Sequence, residues 1–228
     1  QDTVLYEFAD TGLHQIKLIS ISDQNCKDSI TEYVDVRRAP LPEFITSNIT
    51  CEETPVYFIN NTQTTPYSPV QSWYWNFGDG NTSEFSDPQH QYSQAGEYIV
   101  RLEMRYLNGC TSTNEMPITI YNNPVAIIGN LNPCYNETWS PVDNSYSEDG
   151  EIISKSWIID NNTYQNTPEL VFDKLGQYPI SLQVETEFGC KDNIDSYFIV
   201  RESPVSDFNT NPHWGVVPFS VIFTNTSQ

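Results

Sequence analysis

The sequence predicts an all-β protein built from antiparallel β-sandwiches in tandem. Apolar and polar residues alternate along short segments such as 56–60, 98–104 and 118–120, and Gly, Pro, Asn and Ser residues bound these segments. No segment keeps an apolar period of about 3.6 residues, which a helix would need. One strand pattern also recurs at a spacing of 84 and then 80 residues, and such self-similarity indicates an array of like domains.

The repeat is written Gly-x-aromatic-x-aliphatic-x-Leu, and each copy is followed by a cysteine and then a proline. The glycines are Gly12, Gly96 and Gly176, the cysteines are Cys26, Cys110 and Cys190, and the prolines are Pro40, Pro124 and Pro204. This phasing predicts two complete domains at 40–123 and 124–203, the back part of a domain at 1–39 and the front part of another at 204–228. Because half a domain cannot bury a core, we expect the two partial copies to be ordered only when a neighbour completes them.

About seven short strands in each copy predict an immunoglobulin-like sandwich. The connections 121–124 and 201–204 are short and each ends in a proline, which fixes φ and shortens the hinge. We therefore expect the tandem sandwiches to form a stiff rod.

The charge of the chain excludes several kinds of partner. Ten basic residues against thirty acidic ones give a formal net charge of −20. Such a chain repels nucleic acid and anionic membranes. No apolar run reaches the roughly 20 residues of a membrane-spanning helix, so we expect no membrane insertion of this segment.

The five cysteines fall into two repeated positions. Cys26, Cys110 and Cys190 are the turn cysteines, and Cys51 and Cys134 are the loop cysteines. Neither set has the C-x-x-C spacing of a zinc site. Cysteines fixed to a repeat in an acidic β protein indicate disulfides and therefore an extracellular or cell-surface location.

The second copy carries motifs that resemble a known family. They are WYWNFGDG at 73–80, PQHQY at 88–92 and GEYIVRL at 96–102. Together they resemble the PKD (polycystic-kidney-disease-type) domain over almost the whole copy. The third copy diverges, since Trp157-Ile-Ile-Asp160 replaces the Gly-Asp-Gly turn. Tandem PKD-like copies with cysteines resemble the stalks of giant secreted surface proteins of gliding bacteria, which include motility adhesins.

Two disulfide pairings are open. The first stays inside each copy and joins Cys51 to Cys110 and Cys134 to Cys190. In a seven-strand sandwich, however, these two positions lie at opposite poles about 20 Å apart, whereas a disulfide needs Cα atoms within about 7 Å. Cys51 would face the next domain at the pole where Cys190 lies, so we favour an inter-domain bond, Cys51–Cys190. The remaining cysteines would then pair with copies outside this sequence.

Three other groups of residues were considered as candidate sites. Asp143, Ser147 and Asp149 lie in an acidic loop of the third copy that could bind calcium, the one candidate cofactor, although a solvated turn explains the same residues. Asp-Thr/Ser-aliphatic triplets at Thr3 and Ser29 resemble glycan acceptor sites of such surface proteins. We interpret Asp79 and His90 as scaffold residues, because no nucleophile stands at a catalytic spacing, and we predict no enzyme activity.

Three functions remain as hypotheses. The first is a non-enzymatic structural and adhesive stalk segment of a large bacterial surface protein, with neighbouring copies of the array and an extracellular glycan or protein as partners. The second is a spacer in a secreted hydrolase that acts on polysaccharide or protein. The third is a ligand-binding ectodomain, which would need an exposed aromatic patch; the candidates are Trp73, Tyr74, Trp139 and Trp214.

Overall fold

The computed structural model describes residues 3–228, and it confirms the predicted all-β fold. Nineteen strands are present in the described part of the chain. They are β1 (Gly12–Ile21), β2 (Lys27–Val36), β3 (Phe44–Thr46), β4 (Pro55–Asn60), β5 (Val70–Asn76), β6 (Thr82–Ser83), β7 (Gln89–Gln91), β8 (Gly96–Tyr106), β9 (Thr111–Ile120), β10 (Ile128–Gly129), β11 (Thr138–Trp139), β12 (Val142–Asp143), β13 (Ile152–Ile159), β14 (Asn162–Tyr164), β15 (Leu170–Val171), β16 (Gly176–Thr186), β17 (Lys191–Val200), β18 (Phe208–Asn211) and β19 (Ile222–Asn225).

The chain divides into two compact units. The first comprises Gln1–Ser47, Pro55–His90 and Glu97–Ile118, and the second comprises Asn48–Thr54, Gln91–Gly96 and Thr119–Gln228.

The first unit holds most of a seven-stranded antiparallel sandwich. One sheet has the order β6-β5-β8-β9 and the other the order β3-β4-β7. Inward-facing aromatic residues form the core, with the Phe44 and Phe58 rings 5.0 and 5.7 Å from the Trp75 ring. Trp75 and Phe77 are both buried, as their alternation along the sequence predicts.

The hairpin turn after β5 has the conformation that its Gly-Asp-Gly sequence indicates. Gly78 and Gly80 adopt φ of 86° and 94°, values that side chains rarely tolerate. Between them, Asp79 accepts hydrogen bonds from the backbone and side-chain amides of Asn81 at 3.0 and 2.9 Å. The turn is therefore held by both backbone conformation and side-chain hydrogen bonds.

The second unit contains a second sandwich formed by the third copy. Its main sheet has the order β14-β13-β16-β17, and the short pairs β10-β12 and β11-β15 complete it. Trp157, Leu182, Val184 and Phe198 are buried in one apolar core. Burial of these large side chains supplies the main favourable term in folding.

The two partial copies form hairpins without a core of their own. β1 and β2 pair over ten residues, and β18 pairs with β19 over four. Leu18 is 64% exposed and Phe223 is 69% exposed, whereas Leu102, which takes the place of Leu18 in the complete second copy, is fully buried. That a neighbouring copy completes and orders these hairpins stays a prediction.

We predict that Gly78→Ala destabilises the first unit more than Gly80→Ala. A Cβ at Gly78 would lie 2.8 Å from the backbone oxygen of Ile99, whereas a Cβ at Gly80 meets nothing within 4 Å. Both positions have positive φ, so the difference isolates the steric clash, and we expect about 1–3 kcal/mol. Urea denaturation of the two variants measures it, and equal losses would contradict the steric explanation.

Candidate functional site

The site with the richest set of contacts lies around the paired cysteines. We name it the cysteine junction, and it consists of the loop 48–54, the connection 121–123, the turn 187–190 and Asp149. All of these residues belong to the second compact unit. The loop comes from the second copy of the repeat, the turn comes from the third, and the connection joins the two copies.

A disulfide joins Cys51 to Cys190, the pairing that the sequence analysis favoured. The Cα atoms are 5.6 Å apart, inside the range that a disulfide requires. Both residues are only 1% exposed, so solvent has little access to the bond. The alternative pairing inside each copy is wrong, because Cys110 and Cys134 are both unpaired.

Backbone hydrogen bonds hold the loop beside the connection. Cys51 forms a parallel bridge with Tyr121. The amide of Glu52 donates to the carbonyl of Tyr121 at 2.9 Å, and the amide of Tyr121 donates to Thr50 at 2.8 Å. Cys51 is therefore fixed next to the point where the chain leaves one copy for the next.

An aromatic pair covers one side of the cysteine junction. The rings of Tyr121 and Phe188 stack with centroids 3.8 Å apart and planes 3° from parallel. Next to Phe188, Gly189 adopts φ of 82°, and a Cβ there would lie 3.3 Å from Ile49. The absence of a side chain at Gly189 lets the turn approach the loop closely.

Two carboxylates hold the connection by hydrogen bonds. Asp149 Oδ2 accepts from both the backbone amide and the side-chain amide of Asn122, each at 2.8 Å. Asn123 donates its backbone amide to Glu52 Oε1 at 3.2 Å and its side-chain amide to the Glu52 carbonyl at 3.1 Å. Sequence reasoning missed all four contacts. The Asn122-Asn123 pair before Pro124 was a usable signal, because asparagine side chains often form hydrogen bonds in turns and short connections.

The candidate calcium residues have separate protein partners. Asp149 binds the connection, and Ser147 donates its hydroxyl to the carbonyl of Asp149 at 2.7 Å. Asp143 forms an ion pair with Lys155 and accepts from the amide of Ser145 at 2.9 Å. Within residues 3–228, no three His, Cys, Asp or Glu side chains are grouped so that they could hold a metal ion. Calcium binding at this loop stays a prediction.

The environment of Asp143 favours its ionised form. Burial alone would raise the pKa of this carboxyl, but hydrogen bonds from Lys155 and Ser145 and the charge of Lys155 outweigh it and hold the pKa below the usual value. Asp143 therefore acts as an anionic partner between β12 and β13.

Asp79 and His90 form a structural pair in the first unit. His90 Nε2 lies 2.7 Å from Asp79 Oδ2, and the imidazole stacks on Phe77 with centroids 4.2 Å apart. Burial would raise the pKa of Asp79, but hydrogen bonds from Asn81 and His90 lower it. These contacts fix the turn 78–80 against the strand that carries His90.

The four aromatic candidates differ in their exposure. Trp139 is 5% exposed, and its indole donates to the carbonyl of Asn130 at 2.8 Å, so this candidate is buried. Trp73 is half-buried, Tyr74 is 45% exposed and Trp214 is 85% exposed. Tyr74 and Trp214, the two exposed members, belong to different units.

The two glycan candidates are both exposed. Thr3 precedes the first strand, and Ser29 lies in β2 with its amide donating to Asp28 Oδ1 at 2.9 Å. Asp2, which belongs to the first triplet, lies outside the described residues. Glycosylation of Thr3 and Ser29 stays a prediction.

The two antiparallel sandwiches, with their aromatic cores and inter-copy disulfide, define a tandem immunoglobulin-like protein. Residues 37–120 match the sequence model of the PKD domain, the family that the WYWNFGDG and PQHQY motifs resemble. The described residues include no helix whose length and apolar content would suit a membrane span.

Several bacterial proteins are similar to parts of the chain. A microbial collagenase of Vibrio alginolyticus is 37% identical over 65 residues, which are 28% of this chain and 8% of that protein. The pre-pro-metalloprotease PrtV of Vibrio cholerae serotype O1 is 24% identical over 132 residues, which are 57% of this chain and 14% of that protein.

A solved structure of one domain is also similar to part of the chain. The PKD1 domain of the Vibrio cholerae metalloprotease PrtV is 28% identical, with a TM-score of 0.33, and the match covers 36% of this chain and 98% of that domain. The chain thus spans only a small part of the curated relatives that it matches, 8% of the Vibrio collagenase and 14% of PrtV.

We predict that Asp149→Ala destabilises the second unit by about 2 kcal/mol, because two amides of Asn122 lose a charged acceptor. Urea denaturation measures this loss. Glu148→Ala is the matched control, since Glu148 is the exposed carboxylate next in sequence. Equal stability of the two variants would contradict the assigned role of Asp149.

We also predict that the stabilising effect of Asp143 depends on pH. Its folded-state pKa lies below the ordinary value of 3.8, so its contribution is fully present above that value and is lost as the pH falls through the folded-state pKa. The free energy of unfolding should therefore differ most between the native chain and Asp143→Asn at neutral pH, and the difference should shrink below pH 3.8. Asp173→Asn, an exposed carboxylate in the same unit, is the control; a constant difference across this range would refute the prediction.

Proposed function

We propose that this chain is a non-enzymatic structural and adhesive stalk segment of a large secreted bacterial cell-surface protein. The observation that carries the proposal is the Cys51–Cys190 disulfide, which connects the second copy of the repeat to the third. Tandem domains that only space a surface from its target need no such bond. A stalk that transmits tension benefits from it directly.

The disulfide changes which residues can extend under tension. Cys51 and Cys190 are 139 residues apart in sequence. When the ends of the chain are pulled, force passes through the sulfur–sulfur bond and bypasses the residues between the two cysteines. The bypassed residues include Trp75 and Trp157, which lie in the cores of the two complete copies.

Two further observations support an extracellular stalk. Disulfides persist in oxidising compartments outside the cytosol. The formal net charge of −20 makes neighbouring stalks repel one another, and it keeps a protein with many exposed apolar residues in solution.

A second function, a spacer in a secreted hydrolase, is favoured by the names of the relatives, which are a collagenase and a metalloprotease. The size and location of the parent protein separate the two proposals. A very long parent chain bound at the cell surface favours the stalk, whereas a released parent with a catalytic domain favours the spacer.

Single-molecule force spectroscopy tests the stalk proposal on the full chain, pulled by its two ends. Because 139 residues separate the cysteines and an extended residue spans up to about 3.6 Å, reduction should add about 500 Å to the fully extended length. The variant Cys51→Ala/Cys190→Ala should show the longer length with and without reductant. An oxidised native chain that already extends to the longer length would overturn the proposal that the Cys51–Cys190 disulfide carries the tension.

A further inference from the structure

The backbone that presents Cys51 is repeated around the unpaired Cys134. Cys134 forms a parallel bridge with Arg201, as Cys51 does with Tyr121. The amide of Tyr135 donates to the carbonyl of Arg201 at 2.8 Å, and the residue two positions after each loop cysteine adopts φ of 55°. Cys134 is therefore held beside the exit of the third copy in the same way as Cys51 beside the exit of the second.

The turn that presents Cys190 is repeated as well. In each of the three turns, the cysteine carbonyl accepts a hydrogen bond of 2.9 Å from the amide four residues earlier, and the residue before the cysteine has positive φ. The donors are Ser22, Tyr106 and Thr186, and the residues of positive φ are Asn25, Gly109 and Gly189. Cys26 and Cys110 are both exposed at their turns.

We propose that Cys134 forms a second inter-copy disulfide with the turn cysteine of a further PKD copy that follows it. By the same rule, Cys110 and Cys26 each bond the loop cysteine of a preceding copy. The partner of each unpaired cysteine is thus a cysteine of another PKD copy: a turn cysteine for Cys134, and a loop cysteine for Cys26 and Cys110. Residues 204–228 of the fourth copy contain no cysteine, so the rule assigns no disulfide through the loop position of that copy.

These disulfides would overlap along the chain. Cys110 and Cys134 both lie between Cys51 and Cys190 in sequence, separated by 24 residues. If tension passes through the two proposed disulfides, only the segment from Cys110 to Cys134 can extend between them. The Cys51–Cys190 bond joins residues on either side of this segment. Overlapping bonds therefore limit extension more strongly than bonds placed one after another.

Formation of the bond needs an external oxidant, and a small-molecule disulfide such as oxidised glutathione supplies it. The Cys134 thiolate attacks the glutathione disulfide and displaces one glutathione thiolate. The thiolate of the turn cysteine then attacks the mixed disulfide and displaces the second. Two protein thiols are oxidised, their two protons pass to the two displaced glutathione thiolates, and one glutathione disulfide is thereby reduced to two glutathione thiols.

The test is a longer chain in which residues 124–203 are repeated once between Ser203 and Pro204. After refolding with oxidised glutathione, alkylation and mass spectrometry identify the remaining thiols. We expect Cys26, Cys110 and the loop cysteine of the inserted copy to be thiols, because Cys134 bonds the inserted turn cysteine.

Cys134→Ser in the longer chain separates this pairing from the alternatives. If Cys134 bonds the inserted turn cysteine, the substitution exposes one additional thiol. A bond inside the inserted copy would instead make the substitution remove one thiol, and an unbonded Cys134 would behave the same way; either result overturns the proposal.

A second insertion keeps the proposal testable if the first chain does not fold. Residues 40–123 are repeated before Pro40, so that the inserted loop cysteine faces Cys110. Here Cys110 should resist alkylation, and labelling of Cys110 in a chain that retains the Cys51–Cys190 bond would overturn the rule. Neither experiment depends on what the stalk binds, so their failure is distinguishable from failure of the proposed function.

Discussion

The covalent bond between Cys51 and Cys190 is the constraint on which the other contacts of the cysteine junction depend. In the chain-entropy description, closing a loop of 139 residues removes roughly 5 kcal/mol of unfolded-state entropy. Each hydrogen bond at Asp149 or Glu52 contributes about 1–3 kcal/mol at most. The disulfide keeps the turn and the loop at the short separation at which the Tyr121–Phe188 stack and these hydrogen bonds can form. The contacts in turn bury the bond, which protects it from exchange with solvent thiols.

Several acidic residues in this chain serve as anchors for amides and cations. Asp149 and Glu52 bind the two asparagines of the connection, Asp143 binds Lys155, and Asp79 binds Asn81 and His90. Each carboxylate accepts from donors that a loop or turn would otherwise leave to water. A strongly acidic composition is therefore compatible with well-ordered loops, because part of the negative charge is used to hold the backbone.

Features carried by a repeated position, the cysteine pair between two copies included, could be predicted from the sequence, whereas hydrogen bonds between irregular segments could not. The Gly78–Gly80 turn, the buried Trp75 and the placement of Cys51 opposite Cys190 follow from motif spacing and strand alternation. The Asp149–Asn122 bond joins residues 27 apart in irregular segments, where no period relates them. The burial of Trp139 could not be predicted either, because its two-residue strand is too short for alternation to show which face it occupies.

The cysteine junction combines a repeated backbone with side chains that are not repeated. The position of Phe188 is taken by Asn108 in the second copy, and the position of Tyr121 is taken by Arg201 at the end of the third copy. An arginine and an asparagine cannot reproduce the aromatic stack, although the turn and the loop that carry them keep the same hydrogen bonds. The non-covalent part of each junction therefore differs in strength, while the cysteine positions recur. The cysteine positions and the backbone hydrogen bonds recur where the aromatic stack does not, so the proposed disulfides would supply the resistance to tension that successive junctions share.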